Sequence, residues 1–432
     1  MDQTLCVILA LLAAAVLQIP SDAALPRPTP QQFEWQDDEL GMFCHFAPNT
    51  WQDAEGDQLT TPLDQINPAK LDTDQWARVA KSMGAKYVIF VAKHVGGFCW
   101  WQTQTTDYSV RNTPWKGGKG DVMADVAKSC KKYGLKLGVY LSPADHKHGI
   151  EVGGRATDPA KQADYTKIFR QQLTELLTKY GPIFEVWFDG SLIFDVSDIL
   201  KQYAPNAIVF QGPSANIRWV GNEEGTAPDP CWNGAKFNPK TWGTLTAADG
   251  DPDGDRWLPN ECDCRMRDSW FWNTKNENSV KSVDQLMEMY DASVGHGAVM
   301  LLNNTPDTSG LIPEKDVAAA KAFGQEIRRR YGTPIVYSQG SGDTVTAQPS
   351  APVVADTVVT MEDISSGERV RKYDIEGSVG GQWKVLASGT AIGHKKIDHF
   401  DPVQVSAVRI HVIGSVGQPL IRRIALYRTS KP

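Results

Sequence analysis

Asp189 stands at the end of an apolar run over residues 184–188 and is followed by Gly190, which lets the chain turn away. Trp187 shares the face of Asp189, because side chains two residues apart on a strand point the same way. A carboxylate beside an aromatic platform suits sugar hydrolysis, in which the ring stacks while an oxygen attacks. A carboxylate at a strand end could equally ligate a metal or cap a helix.

Glu261 is the second acidic residue that could take part in such chemistry. It follows a short run that contains Trp257 and Pro259, and a desolvated pocket formed by these residues would raise its pKa, as a general acid requires. Arg265 and Arg267 lie close in sequence, and an ion pair with either would lower the pKa instead. The residues alone leave both interpretations open.

Short apolar runs alternate with amphipathic segments over most of the chain. Strands that alternate with helices predict a parallel sheet, and this number of repeats favours an α/β fold, a (β/α)8-like, TIM-type barrel. The predicted strands are 42–46, 87–92, 135–141, 184–188, 208–211, 257–258 and 298–302, and the main predicted helices are 73–83, 122–133, 165–180, 280–294 and 314–331.

Polar residues recur at the ends of these predicted strands. The carboxyl ends of all strands in a parallel barrel open on one face, where barrel enzymes build their active sites. A purely structural core gives no reason to place hydrogen-bonding side chains at so many equivalent positions, so the pattern favours an enzyme. The residues are His45, His94, Ser142, Asp189, Gln211, Glu261 and Asn303.

The two ends of the chain differ in pattern from the barrel region, which is predicted to span residues 25–335. Residues 1–24 contain an apolar run followed by small residues, which predicts a signal peptide and a secreted or otherwise exported protein (extracellular, periplasmic or lysosome-like). The run is short for a bilayer span, which favours a cleaved signal over a membrane anchor. Residues 336–352, rich in Ser, Gly, Thr and Pro, predict a linker. Residues 353–432 alternate with period two and predict a small C-terminal β-sandwich.

The composition is that of a globular protein, with 432 residues of which 41% are hydrophobic and 22% charged. A net charge of −7 without a Lys/Arg cluster disfavours nucleic acid as a partner. The acidic turn 249–254 begins like a calcium loop, but Pro252 lies inside it and Asn260 stands at the twelfth position, so the match is poor. With no zinc-type His/Cys spacing and no phosphate-loop motif, the sequence predicts neither a metal nor a cofactor.

Eight short motifs follow one another along the chain. They are FCHFAPNT (43–50), AKH (92–94), GF (97–98), TDYS (106–109), GVYLSP (138–143), EVWFDG (185–190), IRWVGNE (217–223) and WLPNECD (257–263). In this order they resemble the motifs of the α-L-fucosidases of glycoside hydrolase family twenty-nine. The resemblance covers most of residues 33–332 and implies a fucosylated glycan substrate and a retaining double displacement. It implies that Asp189 is the nucleophile and Glu261 the acid/base, the latter resembling the branch active on α-1,3/1,4-linked fucose.

The same resemblance implies which side chains contact the sugar. Histidine and tyrosine hydrogen-bond sugar hydroxyls, while aromatic rings cover the methyl face of fucose. By motif, His45, His94, Tyr140 and Trp187 are expected to contact fucose and Arg218 to line the site, with Trp101 and Glu55 as weaker candidates.

Two departures from the family pattern keep rival functions open. The family usually has two adjacent histidines, whereas here His94 is followed by Val95, so one hydrogen bond to the sugar is missing or supplied elsewhere. The segment after Glu261 also differs from the family's, which bears on the aglycone preference. The alternatives are a catalytically weak or inactive fucose-binding, lectin-like barrel and a hydrolase of a galactose-configured sugar. The C-terminal module resembles discoidin-like sandwiches and is expected either to bind glycan or to buttress the barrel.

Overall fold

The protein forms an eight-stranded parallel barrel followed by an antiparallel β-sandwich, as seen in a computed structural model that describes residues 25–430. The fold class predicted from the sequence is confirmed. The predicted signal peptide, residues 1–24, lies outside the described residues. The barrel strands are β1 (Leu40–Cys44), β2 (Tyr87–Lys93), β3 (Lys136–Leu141), β4 (Glu185–Trp187), β5 (Ile208–Phe210), β6 (Arg218–Trp219), β7 (Asn260–Arg265) and β8 (Val299–Asn303).

Neighbouring barrel strands follow one another in the chain, and β8 pairs with β1. The seam between β5 and β6 is joined by a β-bridge between Phe210 and Ile217 rather than by a paired ladder. Asn216 supports this seam, because its side-chain Oδ1 accepts a hydrogen bond from the backbone N–H of Val209 at 2.7 Å. The barrel is therefore nearly closed, and the carboxyl ends of its strands open on one face.

The helices begin and end at strong local signals. The side chain of Asp72 caps α2 and that of Asp121 caps α3, while Gly84 and Gly134 end these helices in the left-handed conformation. These caps explain why both helices have the bounds predicted from the sequence. Within residues 25–430 no helix is both long and apolar enough to cross a bilayer. The helices are α1 (Pro30–Asp38), α2 (Thr73–Met83), α3 (Val122–Tyr133), α4 (Gln162–Lys179), α5 (Ser197–Tyr203), α6 (Val283–Ser293) and α7 (Glu314–Tyr331).

Two barrel strands differ from the sequence prediction. The sequence analysis does not predict β6, because a two-residue strand carries no periodicity. It assigns a strand to 257–258, whereas Trp257 pairs with Gly234 in a short antiparallel ribbon outside the barrel. The barrel strand is β7, which begins at Asn260. Its polar side chains point into the barrel, so the apolar run that marks other strands is absent.

The C-terminal sandwich consists of two four-stranded antiparallel sheets, ordered β9-β16-β11-β14 and β10-β15-β12-β13. The inward-facing side chains of both sheets form one apolar core, as expected for a sandwich. The strands are β9 (Val336–Ser341), β10 (Thr344–Ala347), β11 (Val353–Glu362), β12 (Val370–Val379), β13 (Gln382–Gly389), β14 (Lys396–Val405), β15 (Val408–Ser415) and β16 (Leu420–Tyr427).

Residues 336–352, predicted as a linker, contain the first two strands of the sandwich. β9 pairs with β16, and β10 pairs with β15. In β10, Val345 and Ala347 are buried and alternate with exposed Thr344 and Thr346. Many residues of both strands are exposed, since one face of each sandwich sheet meets solvent, and this explains the Ser, Gly and Thr content that favoured a linker. The domain boundary therefore falls after α7.

Buried and charged contacts fix the sandwich to the barrel. Glu368 accepts hydrogen bonds from the backbone N–H and the Nδ2 of Asn233 at 2.9 and 2.6 Å, and both residues are buried. Asn233 belongs to the long connection between β6 and β7. At the amino end of β1, Lys395 Nζ lies 2.6 Å from Glu39 Oε1. These contacts favour the buttressing role for the module.

Candidate active site

A cavity of about 430 Å³ opens at the carboxyl ends of the barrel strands. Its floor is aromatic, and four carboxyl groups reach it from different strands and connections. Apolar walls with a few convergent polar groups are typical of a site for a small ligand. The lining residues are Phe43, His45, Glu55, Gly56, His94, Tyr140, Trp187, Asp189, Gly190, Phe210, Gln211, Trp219, Glu223, Asp263 and Trp270.

A larger cavity, of about 900 Å³, lies around the amino ends of β3 and β4. Lys128, Lys131 and Lys179 line it together with Phe184. It contains no facing pair of carboxyl groups, and it lies away from the barrel face on which such enzymes build their sites. The smaller cavity is therefore the candidate active site.

Asp189 lies two residues after the end of β4, and its carboxyl faces the cavity. Gly190, at a φ of 73°, turns the chain away in a conformation that favours glycine. Tyr140 on β3 donates its hydroxyl hydrogen to Asp189 Oδ2 at 2.9 Å. Burial raises the pKa of Asp189, the bond from Tyr140 lowers it, and the charge of Glu223 raises it. Asp189 and Glu223 both line the same cavity.

Trp187 forms the aromatic floor beside Asp189. Its ring stacks on Phe210, with centroids 3.8 Å apart, and on Tyr140, with centroids 5.4 Å apart. Phe43 meets it edge-on at 5.1 Å. Such a rigid apolar surface suits the face of a sugar ring or its methyl group.

His45 and His94 are neutral imidazoles in the cavity wall. Burial lowers the pKa of both, and that of His94 falls to about 3. Asn303 donates its Nδ2 hydrogen to the carbonyl of Trp270 at 2.8 Å, so its Oδ1 accepts from His45 Nδ1 at 3.0 Å. The His45 proton is therefore on Nδ1, which leaves Nε2 as an acceptor for a hydroxyl group.

Glu223 lies four residues after β6 and reaches the rim of the cavity. Its side chain is 43% exposed and lies 3.7 Å from Arg265. Trp270 donates its indole N–H to Glu223 Oε2 at 3.0 Å, while the Trp270 ring packs 4.8 Å from that of His45. A carboxyl held at the rim, with access to solvent, can exchange a proton with a departing group and then with water.

Two further carboxyls line the cavity. Asp263 accepts the indole N–H of Trp219 at 2.6 Å, and its pKa is raised well above the usual range, first by burial and then by the charge of Glu261. Glu55 accepts the backbone N–H of Trp270 at 2.9 Å, and burial raises its pKa. These hydrogen bonds fix the orientation of both carboxyls at the cavity.

Glu261, predicted as the acid/base, does not line the cavity. It points into the barrel from β7 and has no exposed surface, and its carboxyl accepts hydrogen bonds from Tyr87 and Trp187. Burial raises its pKa to about 7, so the desolvation expected from the sequence is present. Inward-facing residues of a barrel strand occupy successive layers, and it is Asp263, two residues further on, that reaches the cavity. The predicted placement of Glu261 beside Asp189 is therefore corrected.

Arg218 and Trp101 also lie outside the cavity lining. Arg218 is buried between β6 and β7, where its Nε donates to Asn260 Oδ1 at 2.8 Å and a terminal nitrogen donates to the carbonyl of Trp232. Trp101 is buried and donates its indole N–H to Glu175 Oε2 at 2.7 Å. The Arg218 side chain therefore holds neighbouring backbone in place, and the Trp101 side chain holds a neighbouring helix in place. The other predicted contacts, His45, His94, Tyr140, Trp187 and the weaker candidate Glu55, do line the cavity, and their role toward a sugar stays a prediction.

Glu223 and Trp270 line the cavity but are not among the site residues predicted from the sequence. Glu223 closes the motif over residues 217–223, but without β6 as a recognised strand nothing placed its end at the cavity. Trp270 follows β7 after a turn of irregular structure, which sequence periodicity does not predict. Within residues 25–430 no cluster of three or more His, Cys, Asp or Glu side chains could hold a metal ion.

Comparisons with known proteins point to one family. A profile of the family described as alpha-L-fucosidase matches residues 50–332. Alpha-L-fucosidase 1 of Arabidopsis thaliana is 33% identical over 93% of this chain and 88% of its own length. A glycoside hydrolase 29 family member from an unknown rumen bacterium has a TM-score of 0.86 and 32% identity, over 95% of this chain and 78% of that chain. A Ruminococcus gnavus GH29 fucosidase in complex with fucose has a TM-score of 0.85 and 27% identity, over 95% of this chain and 96% of that chain.

Proposed function

This chain belongs to the α-L-fucosidase family, and we propose that it is a retaining exo-glycosidase that releases α-1,3/1,4-linked L-fucose from oligosaccharides or glycoproteins. The observation that carries the proposal is the presence of Asp189 and Glu223 in one cavity with an aromatic floor. The complex of the R. gnavus relative with fucose supports fucose as the sugar bound. The lectin-like alternative considered from the sequence has no support among these relatives.

In the first step Asp189 attacks the anomeric carbon while Glu223 donates a proton to the glycosidic oxygen. The bond to the aglycone breaks as the fucosyl–Asp189 ester forms. In the second step the ionised Glu223 takes a proton from water, the water oxygen attacks the same carbon, and Asp189 departs as a carboxylate. Two inversions give net retention, for which the two carboxyls should lie roughly 5–5.5 Å apart.

The wall and floor of the cavity supply the contacts proposed for fucose. His45 Nε2 accepts a sugar hydroxyl hydrogen, since its Nδ1–H is engaged by Asn303. Trp187 provides the apolar surface for the ring face or the methyl group. Glu223 and Trp270, at the open rim, face the leaving group and thereby act on the aglycone. The hydrogen bond lost at Val95 is assigned to Gln211 or Glu55, which are additional polar residues of the lining.

The stereochemical outcome tests the assignment of the two carboxyls. Proton NMR of the first sugar released by the wild-type enzyme from an aryl α-L-fucoside should show the α-anomer before mutarotation. Azide added to Asp189→Gly should yield the β-fucosyl azide, and azide added to Glu223→Ala the α-fucosyl azide, because only the second variant keeps its nucleophile. Identical products from both variants, or release of the β-anomer by the wild type, contradict the proposal.

The linkage preference is tested by side-by-side digestion of α-1,2-, α-1,3/4- and α-1,6-fucosylated oligosaccharides. Selective release of fucose from the α-1,3/4-linked compounds is expected. Faster cleavage of the α-1,2 or α-1,6 linkage would overturn the proposed preference while leaving the fucosidase activity intact.

We also propose that the chain is exported, on the strength of residues 1–24. Expression of the full chain in a secretory host, followed by N-terminal sequencing of the product in the medium, tests this. A mature protein that begins near residue 25 is expected, and retention of the uncleaved chain in the cytosol contradicts it.

A further inference from the structure

Beneath the cavity, two glutamates from different strands meet inside the barrel. Glu185 on β4 and Glu261 on β7 have no exposed surface. Trp35 donates its indole N–H to Glu185 Oε2 at 3.0 Å. Glu261 accepts from the Tyr87 hydroxyl at 3.3 Å and from the Trp187 indole N–H at 2.7 Å. The mechanism above uses neither carboxyl.

The two buried carboxyls interact closely, and one oxygen of the pair lacks a hydrogen-bond donor. Glu185 Oε1 is buried and accepts no hydrogen bond, and after burial the Glu261 carboxyl has the largest effect on the pKa of Glu185. Carboxylate oxygens only accept, so a bond between the two side chains exists when one of them is protonated. The largest charges that act on Glu185 are those of Glu261 and Asp38, and because both are acidic they favour a protonated Glu185.

Glu185 is the member that holds the proton. Burial raises the pKa of both groups, and the charge of Glu261 raises the pKa of Glu185 further. Glu261 receives the donated bonds from Tyr87 and Trp187, which favour its ionised form. A neutral Glu185 thus accepts from Trp35 through one oxygen and donates to Glu261 through the other.

We propose that Glu185 and Glu261 are positioning residues, in which the protonated Glu185 orients Glu261 and Glu261 holds the Trp187 indole at the cavity floor. Trp187 stacks on Tyr140, which donates to Asp189, so the pair acts on the nucleophile through two side chains. The expected effect on catalysis rests on the proposed function, in which Asp189 is the nucleophile. The presence of a shared proton does not depend on that function.

The experiment compares three Glu→Gln variants on an aryl α-L-fucoside. Glu261→Gln replaces one acceptor oxygen by an amide NH₂ group, which cannot accept a hydrogen bond from the side chain that donated to that oxygen. We expect kcat to fall at least about tenfold. Glu185→Gln is expected to lose less, because its amide still accepts from Trp35 and donates to Glu261. The matched control is Glu362→Gln, a fully buried glutamate of the sandwich whose pKa is raised to about 8, which should leave kcat and KM unchanged.

A second readout does not depend on turnover. Burial and the charge of Glu261 raise the pKa of Glu185 well above its usual value of 4.5, so the native state keeps a proton that the unfolded chain releases. Stability from this proton is fully present below pH 4.5 and is lost as the pH rises toward the raised pKa of Glu185. The thermal midpoint of Glu185→Gln, measured from pH 4.5 to 7.5, should therefore fall less steeply than that of the wild type.

The outcomes separate the pair from the proposed function. Equal kcat losses in Glu185→Gln and Glu261→Gln, or an unchanged kcat in Glu261→Gln, overturn the positioning role. An unchanged pH slope of the thermal midpoint in Glu185→Gln overturns the shared proton. If the wild type releases no fucose while the pH slope changes as expected, the proposed function fails and the proton pair stands.

Discussion

The barrel holds two groups of acidic side chains, one open to the cavity and one closed beneath it. Asp189 and Glu223 face the cavity, whereas Glu185 and Glu261 have no exposed surface. Trp187 separates them, with its ring on the open side and its indole N–H bonded to Glu261. Burial raises the pKa of Asp189 and of both closed glutamates. Desolvation alone therefore does not make a catalytic carboxyl, because the group must also reach the substrate.

The strongest test of this comparison removes the carboxyl of Asp189, the proposed nucleophile in the open cavity. Asp189→Ala should lower kcat on an aryl α-L-fucoside by roughly four orders of magnitude, because the variant lacks the carboxylate that forms the ester. Circular dichroism should show an unchanged fold, since the side chain faces the cavity. A variant that retains a tenth of the wild-type rate would contradict the role of Asp189.

Glu223→Gln should separate proton donation from nucleophilic attack. General acid catalysis contributes about 10²–10⁴-fold, and it matters most for a poor leaving group. We expect roughly a 10³-fold loss on a fucosylated oligosaccharide and a much smaller loss of the first, fucosylating step on a dinitrophenyl fucoside, measured as the burst of aryl alcohol. Glu224→Gln, at the next position, is the matched control, and an equal loss there would refute the assignment.

Tyr140→Phe should alter the nucleophile without removing it. Asp189 must be ionised to attack, so kcat/KM falls as the pH drops through its pKa. The Tyr140 hydroxyl lowers that pKa, and its loss should move the acidic limb of the pH profile to higher pH. A loss of roughly tenfold in kcat at neutral pH is expected as well. An acidic limb that moves to lower pH, or not at all, contradicts this account.

The smallest catalytic effect is expected at a predicted sugar contact that the structure places outside the cavity. Trp101→Phe keeps an aromatic ring but removes the N–H bond to Glu175. Its KM for an aryl fucoside should stay within about twofold of the wild type, while the free energy of unfolding falls by about 1–2 kcal/mol. Urea denaturation and steady-state kinetics measure the two effects, and a large rise in KM would return Trp101 to the site.

The barrel could be predicted because its helices and most of its strands carry local signals. α2 and α3 have side-chain caps and terminal glycines, which the chain specifies within a few residues. β7 could not be predicted in this way, because its polar side chains are inside the barrel and satisfied by partners from other strands. The same holds for β9 and β10, whose identity as strands depends on pairing with β16 and β15 near the end of the chain.

Within the site, the residues at strand ends were predictable and the residues on connections were not. His45, His94 and Asp189 follow apolar strands directly, so the end of each strand places them at the cavity. Glu261 was misplaced because a sequence indicates which way a strand residue faces but not which layer of the barrel interior it occupies. Glu223 depends on the path of a long connection, which tertiary contacts determine.

The bond between Glu368 and Asn233 bears on how such a chain can be rearranged by recombination. Asn233 lies on the same connection as Glu223, so the sandwich and the rim of the cavity share one stretch of backbone. A module joined to the barrel only by a flexible segment could be exchanged by itself. Here, exchange of the sandwich would also require exchange of the connection that forms the rim of the cavity. Chimeras of related enzymes should therefore cross over before β6 and inherit the connection together with the sandwich that anchors it.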